Sequence, residues 1–312
     1  MAAIITEKFR THSAKQFIED FGEPVSSTFM FIGRSFPWAD DTSPPTPANS
    51  TGEEYDAYSD MIAMKKVSSA DVTHAVSRKN WTDGVKYDEY DHTISASSTS
   101  SGDAAASNLY DSNFYVMTSE YNVYKCIRTG RTDAGVTVGS SVEPQGTSAT
   151  TLVATADTGA GTGRGYLWKY ITTISAADTI KFVTTDFIPV KTIGAQTELG
   201  GVADDTTAQW DVENNAIDGG ILHVKVDSGG AGYTTGDYTA KVINGDGADG
   251  RVTVHVNATG NISHVTVTTA GTGYKRASID VGSGLGAGTP STEAVVTPII
   301  SPLYGHGANP VE

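Results

Sequence analysis

The chain of 312 residues lacks three features, and each absence excludes a class of protein. Cys126 is the only cysteine, so no disulfide can form within the chain, which favours a reducing compartment. No apolar run approaches the ~18 residues that a membrane-spanning helix requires. The N-terminus carries no basic segment followed by an apolar one, so we expect no secretion signal. These absences predict synthesis in a cytosol and no membrane partner.

Basic residues are also scarce. The chain has 21 lysines and arginines against 36 acidic residues, which gives a formal net charge of −15. Binding along nucleic acid requires cationic side chains that displace counterions, and anionic membrane surfaces attract the same residues. We therefore predict no nucleic-acid partner. A charge of this sign favours solubility and suppresses self-association before assembly.

Catalytic motifs are missing as well. The glycines at 161, 163 and 165 do not have dinucleotide-binding spacing, and a predicted strand follows them where that motif needs a helix. The chain has neither a phosphate-binding Gly-Lys-Ser/Thr nor a Gly-x-Ser-x-Gly nucleophile elbow. Its carboxylates are scattered, and no two stand out as a glycosidase pair. We expect no catalytic residue, no cofactor and no small-molecule substrate.

Two segments offer weak metal-binding patterns. Asn244 to Gly250 resembles half a calcium loop, but His255 stands where the late glutamate is required, so a tight Gly/Asp turn is favoured. His255 and His264 flank a short loop and could seed a transition-metal site, but no cysteine or carboxylate pattern completes it. Cross-strand packing of the two rings is favoured, and we predict no metal.

Hydrophobic periodicity predicts a mainly β chain with few helices. One helix is predicted over Thr11 to Phe21, with Thr11 as its cap and Gly22 as its stop, and a second over Tyr55 to Lys66. A buried strand is predicted over Thr28 to Ile32. Further predicted strands are 114–117 and 121–127, joined by a turn at 118–120, then 166–174, 180–183 and 187–190. Loops are predicted at 40–54, 95–107 and 158–164.

After about residue 196 the chain becomes glycine-rich and contains an internal repeat. Ile221-x-His223-Val224-x-Val226 precedes Gly230-x-Gly232-Tyr233, and the same seven residue types recur from Ile262 to Gly273-Tyr274. We predict a small Gly-rich β module of two copies over 206–300, followed by a return segment at 301–312. Gly232 and Gly273 should have positive φ. Tyr233 and Tyr274 should close one end of the sheet, the alternative being that they stack on sugars.

Five aromatic and arginine motifs follow one another in the first 170 residues, and Trp38, Trp81, Tyr124, Trp168 and Tyr170 are their predicted core residues. The motifs are Lys8-Phe9-Arg10, Phe31-Ile32-Gly33-Arg34 running to Pro37-Trp38, Arg78 with Trp81, Tyr121 to Cys126, and Gly165 to Tyr170. In this order they resemble the baseplate wedge subunit encoded by gene eight of T-even-type contractile-tail bacteriophages. The resemblance covers about residues 5 to 195. The Gly/Tyr segments are similar to those of cyanobacterial myovirus structural proteins and have no obvious counterpart in the T-even member.

The resemblance implies a layered antiparallel β-sandwich over 1–205 with short helices in its loops. It also implies a protein without enzymatic activity that forms a homodimer and contacts neighbouring wedge subunits in the baseplate of the virion tail, after assembly in the host cytoplasm. The family pattern has further strands beyond the end of this chain, so we expect either a truncated chain or a sheet completed by a neighbour. Two rivals are a tail adhesin that binds host-surface glycans through 206–300 and a tail-associated hydrolase.

Overall fold

The computed structural model describes residues 6–23, 27–33, 38–46, 49–95, 106, 111–193 and 207–311. The chain divides into two compact units, the first comprising residues 1–75, 189–191 and 311–312 and the second comprising 76–188 and 192–310. The predicted fold class, mainly β with antiparallel sheets and few short helices, is confirmed. The predicted domain boundary at 205/206 and most of the predicted loop at 95–107 lie outside the described residues, as does the segment 34–37.

The described residues of the first unit form two helices and a two-stranded sheet. Helix α1 spans Glu7–Asp20, and helix α2 spans Thr51–Ser59. Strands β1, Phe29–Gly33, and β2, Met61–Lys66, pair antiparallel. Both helices begin at a hydroxyl cap, because the side chains of Thr6 and Ser50 accept from backbone N–H groups one turn into the helix.

Three predictions for this unit need correction. Helix α1 begins four residues before Thr11, because Thr6 supplies the cap. The strand near Phe29 exists, but all five of its residues are exposed, so its predicted burial is wrong. The predicted second helix ends at Ser59, and Ile62 to Lys66 belong to β2.

The second unit begins with a four-stranded antiparallel sheet in the order β4-β5-β7-β6. Its strands are β4 at Tyr115–Met117, β5 at Asn122–Arg128, β6 at Val153–Ala154 and β7 at Leu167–Thr173. The predicted hairpin between β4 and β5 is confirmed, and Tyr121 at its turn has a φ of 61°. Strands β3, His74–Ser77, and β8, Phe187–Val190, cross the boundary between the units along the chain.

The strand predicted at 180–183 is wrong, because 180–182 belong to helix α3, Ala176–Phe182, and Val183 is its C-cap. Ser175 caps this helix by accepting from the N–H of Asp178 at 3.1 Å. A cap of this kind supplies a hydrogen-bond acceptor to one of the backbone N–H groups that the N-terminus of a helix leaves unpaired.

Large aromatic side chains form the core of this sheet. Trp168 is fully buried, stacks on Tyr166 with ring centroids 5.4 Å apart, and meets Tyr87 edge-on at 5.6 Å. The buried tyrosines place their hydroxyls on backbone acceptors, as Tyr166 does on the carbonyl of Val138 at 2.8 Å and Tyr124 on that of Gly146 at 2.8 Å. These hydrogen bonds reduce the cost of burying the polar ends of the rings.

The other described elements of the second unit are helix α4, Ala208–Asn214, whose Val212 packs in the aromatic core, and six strands around a separate, mostly aliphatic core. The strands are β9 at Ile221–Ser228, β10 at Gly236–Gly245, β11 at Arg251–Val256, β12 at Ile262–Thr269, β13 at Ala277–Ile279 and β14 at Val295–Ile300. They form a four-stranded sheet in the order β12-β11-β10-β13 and a two-stranded sheet of β14 and β9. Short 3-10 turns occur at Ser69–Asp71 in the first unit and Ser283–Leu285 in the second.

Two strand ladders of this region share one register. In the first, β11 pairs with β12 and Arg251 lies opposite Thr269; in the second, β14 pairs with β9 and Val295 lies opposite Ser228. The shift between the ladders is 44 residues (251 to 295) on one strand and 41 (269 to 228) on the other, and it holds at all six pairs, including both irregularities. The first strand of each sequence copy therefore pairs with the last strand of the other copy.

Within the second unit, the segment 87–92 packs against the glycine-rich region through polar side chains. The buried carboxylate of Glu89 lies 3.4 Å from Nε2 of His223 on β9 and 3.7 Å from Arg131, and it accepts from the backbone N–H of Thr129. Burial alone would raise the pKa of Glu89, but the charge and hydrogen bond of His223, then Arg131 and Thr129, lower it to about 2. The carboxylate thus stays ionised and links the two parts of this unit.

Candidate functional site

The most exposed apolar surface described in the first unit is the β1–β2 sheet. Ile62 is 78% exposed and Phe29 is 50% exposed, although both lie in strands. Met30, Phe31, Ile32 and Met64 are exposed as well, so apolar side chains occupy both faces of the sheet. A contiguous apolar surface of this kind marks a contact with another molecule more often than it marks a free surface.

The two helices of the same unit add exposed aromatic rings. Phe9 and Phe17 are exposed on α1, and Tyr55 and Tyr58 are exposed on α2. No residue of α2 is buried. A helix this short is not stable by propensity alone, because helices in proteins draw most of their stability from packing an apolar face. The exposed rings therefore favour a role in packing against a partner.

The predicted core residues have different environments. Tyr124, Trp168 and Tyr170 are buried in the aromatic core. Trp81 is partly buried, and its indole N–H donates to the hydroxyl of Ser140 at 3.1 Å. The prediction that Trp38 is a core residue is wrong, because its ring is 45% exposed. It follows the segment 34–37, so Arg34 and Pro37 of the same motif lie outside the described residues.

The predicted turn residues of the repeat occupy equivalent positions. Gly232 and Gly273 have φ values of 84° and 75°, as expected for turns that only glycine adopts without strain. The buried hydroxyl of Tyr233 accepts from the N–H of Ala294 at 2.8 Å, and that of Tyr274 accepts from the N–H of Gly250 at 3.2 Å. Because both rings are buried, they cannot stack on a sugar, and the glycan-binding rival loses its predicted site.

The two weak metal patterns have structural roles in the described residues. The rings of His255 and His264 stack face to face across β11 and β12, with centroids 4.1 Å apart. Asp246 accepts from the backbone N–H groups of Lys275 and Arg276 at 2.9 Å each, which fixes a turn. Among the residues that the structure describes, no three His, Cys, Asp or Glu side chains are grouped as metal ligands.

Sequence reasoning missed two features. The exposed β1–β2 sheet was expected to be buried, because an apolar run gives the same signal with or without a covering layer. The contact of Glu89 with Arg131 and His223 was not predicted at all. His223 was available in the repeat pattern, but no local spacing connects it to a carboxylate 134 residues earlier on the chain.

The fold and these contacts define a class of protein. The chain is mainly β, its described candidate residues serve packing and turns, and its exposed side chains include a large apolar set, as in a structural subunit of an assembly. Within the described part of the chain, no helix combines the length and apolar character needed to cross a membrane.

Residues 3–150 match the family model Phage-Gp8, described as Bacteriophage T4, Gp8. Over these residues the chain is similar to the Gp8 family, and this match supports a structural protein of a phage baseplate, a component of the virion tail. No curated protein matches the chain significantly. Four of the five motifs lie in the matched residues, whereas Gly165 to Tyr170 lies beyond them.

Proposed function

We propose that the protein is a baseplate wedge subunit that acts by binding alone, forming a homodimer and contacting neighbouring wedge subunits. The observation that carries the proposal is the exposed apolar set of the first unit, which lies within the residues of the family match. The protein has no catalytic role in this proposal and requires no cofactor. Its acidic surface keeps the free subunit soluble in the host cytoplasm until partners cover the apolar set.

Two properties of the β1–β2 sheet support a second copy of the chain as one of these partners. The sheet has only two strands, so among the described residues each strand has one edge without a neighbouring strand. A two-fold axis can bring such an edge against its own copy, and the same axis brings apolar faces together. We expect an interface larger than the standard ~1,600 Å².

Light scattering at micromolar concentration tests the dimer. The wild-type protein should have twice the 32.6 kDa chain mass. Ile62→Lys combined with Met64→Lys should yield a folded monomer, because two ammonium groups would be desolvated in the interface. Ile180→Lys is the matched control: Ile180 is exposed in the second unit, and its variant should remain dimeric. A wild-type monomer would argue against the proposal.

The position of the chain in a reconstructed virion tail tests the wedge contacts. A wedge subunit should appear as six dimers within the baseplate ring, with the first unit covered by neighbouring proteins. A chain that projects from the tail with the first unit exposed to solvent would contradict the assignment and favour an adhesin.

We also infer that residues 221–300 are a duplicated module. The common register of the two ladders supports the inference, as do the matching positions of Tyr233 and Tyr274. Each copy supplies an outer strand to the other, so the two copies form one core. We propose, as part of the same inference, that the module forms a domain with the predicted limits of 206 and 300.

A further inference from the structure

A polar cleft lies in the second unit between the β5–β7 sheet and the strands of the glycine-rich region. Its volume is about 460 Å³. Three arginines, Arg128, Arg131 and Arg164, line it together with Lys225 and two histidines. This concentration of basic side chains is unusual in a chain whose net charge is −15. Neither the family match nor the predicted motifs assign it a role.

Two of the guanidinium groups are held in place by backbone carbonyls. One nitrogen of Arg128 donates to the carbonyls of Gly163 and Gly165 at 2.9 Å each. Arg164, which is 6% exposed, donates to the carbonyls of Asp133 and Ser263 at 3.0 and 2.8 Å. A carbonyl fixes the direction of a guanidinium but does not neutralise its charge.

Neither of these two guanidiniums has a carboxylate partner at ion-pair distance within the described ranges of the chain. The Nε of Arg128 is buried and has no hydrogen-bond acceptor in the same ranges. A buried donor without an acceptor costs about 1–3 kcal/mol, more when the group is charged. An anion in the cleft would supply the counter-charge that both guanidiniums lack.

The carboxylates of the cleft are mostly engaged elsewhere. Glu89 binds His223, Arg131 and Thr129. Asp227 accepts from the hydroxyl of Thr297 at 2.6 Å. The third is the side chain of Asp133, whose charge acts on Arg164 at a distance beyond an ion pair. Lys225 lies 3.5 Å from Asp91, so its charge is already paired.

His264 reports the electrostatic character of the cleft. Its pKa is lowered to about 4, first by burial and then by the charges of His255, Arg164 and Arg128, while the charge of Asp237 opposes them. Burial lowers the pKa of Arg128, the charge of Glu89 opposes this shift, and the charge of Arg164 adds to it, so the two guanidiniums are near enough to act on each other. Repulsion between fixed cations disappears when an anion binds between them.

We propose that this cleft binds an oxyanion, a phosphate or a carboxylate group, with Arg128 and Arg164 as its charged donors. Planar guanidinium groups recognise both kinds of oxyanion through paired, charge-assisted hydrogen bonds. The proposal rests on contacts in the second unit alone and does not depend on the wedge assignment.

Side-chain NMR of the arginine Nε–H groups tests the site in the wild-type protein. Inorganic phosphate and citrate are titrated separately to about 20 mM, against sodium chloride at matched ionic strength, a range that detects millimolar dissociation constants. The Nε–H signals of Arg128 and Arg164 should shift with saturation, while that of Arg276, which is exposed outside the cleft, should not. Saturation by phosphate alone indicates a phosphate ligand, and saturation by citrate alone indicates a carboxylate.

Variants test the roles of the two arginines. Arg164→Gln should weaken binding at least about tenfold, because it removes a charge-assisted hydrogen bond to the anion. Arg128→Lys should weaken it less, because the charge remains, and Arg276→Gln should leave it unchanged. If the Arg164→Gln variant does not fold, the titration of the wild-type protein still tests whether the cleft binds an anion. Equal shifts of all three wild-type signals, or none beyond those in chloride, would overturn the proposal.

Discussion

Of the side chains in the aromatic core, we expect Trp168 to contribute most to the free energy of unfolding. It is fully buried and contacts the rings of Tyr87 and Tyr166. Trp168→Ala should lower the free energy of unfolding by about 3–5 kcal/mol, because it removes buried area and leaves a cavity. Chemical denaturation measures this change. Trp38→Ala is the control, and its exposed ring should cost less than ~1 kcal/mol; similar losses at both positions would contradict the burial difference.

Gly232 and Gly273 have the same backbone conformation but different surroundings, which separates strain from steric clash. A Cβ at Gly232 would lie 2.7 Å from the backbone nitrogen of Ser291, whereas at Gly273 it would meet nothing within 4 Å. Both substitutions by alanine should cost ~1 kcal/mol from positive φ. Gly232→Ala should cost at least ~1 kcal/mol more. Thermal unfolding of the two variants measures the difference, and equal costs would show that the turn relaxes.

At the scale of elements, the sequence predicted strands well where large aromatic residues alternate with other residues. The hairpin of β4 and β5 and strand β7 appear where they were expected, because their aromatic residues fill one core. Helix α3 was missed, since Ile180 and its neighbours form an apolar run that resembles a strand. Ser175 caps the helix by accepting from the N–H of Asp178, which favours helix over strand here. Hydrophobic periodicity does not register such a cap.

The candidate sites were harder to predict than the strands. The sequence predicts that β1 is an apolar strand, but it does not predict that the strand is exposed. Exposure depends on whether another layer covers the sheet. The oxyanion cleft combines arginines from β5 and the loop before β7 with strands β9 and β12, and the contact of Arg164 with Ser263 spans 99 residues of the chain. Such a combination follows from the packing of the second unit and leaves no local pattern.

Glu89 carries the next prediction, at the contact between the segment 87–92 and strand β9. Its carboxylate is 5% exposed and serves His223, Arg131 and Thr129 at once. Glu89→Gln should lower the free energy of unfolding by about 2–4 kcal/mol, because Arg131 loses its counter-charge and the buried carboxylate loses its contacts with His223 and Thr129. Urea denaturation measures it. Asp237→Asn removes an exposed partner of His255 and should cost less than ~1 kcal/mol; an equal cost for both would argue that the buried contact is weak.

For the whole molecule, we expect stability to fall with acidification below neutrality. Burial lowers the pKa of His92, His264 and His306 below the ordinary 6.5, to about 4 for His264. Between pH 6.5 and the lower pKa values of the folded state, the unfolded chain therefore binds more protons than the folded one. The stabilisation is complete above pH 6.5 and is lost progressively as the pH falls through the folded pKa values.

Denaturation at pH 7.5 and pH 5 measures this loss, which we expect to be about 1–3 kcal/mol. Glu89, whose pKa is lowered to about 2 from 4.5, should contribute only below pH 4.5, so the two effects separate along the pH axis. His306→Gln should reduce the difference in the free energy of unfolding between pH 7.5 and pH 5. A curve with no slope between pH 7 and 5 would show that these imidazoles are protonated in the folded state.

The exchange of strands between the two sequence copies has a consequence for synthesis. Strand β12 follows β11 directly, so that ladder can close as soon as the ribosome releases a hairpin. Strand β9 must wait for β14, which the ribosome releases about 70 residues and several seconds later at ordinary translation rates. Two ladders with one register therefore form at different times. The edge of β9 stays open to chaperones and to wrong pairings until β14 has been translated.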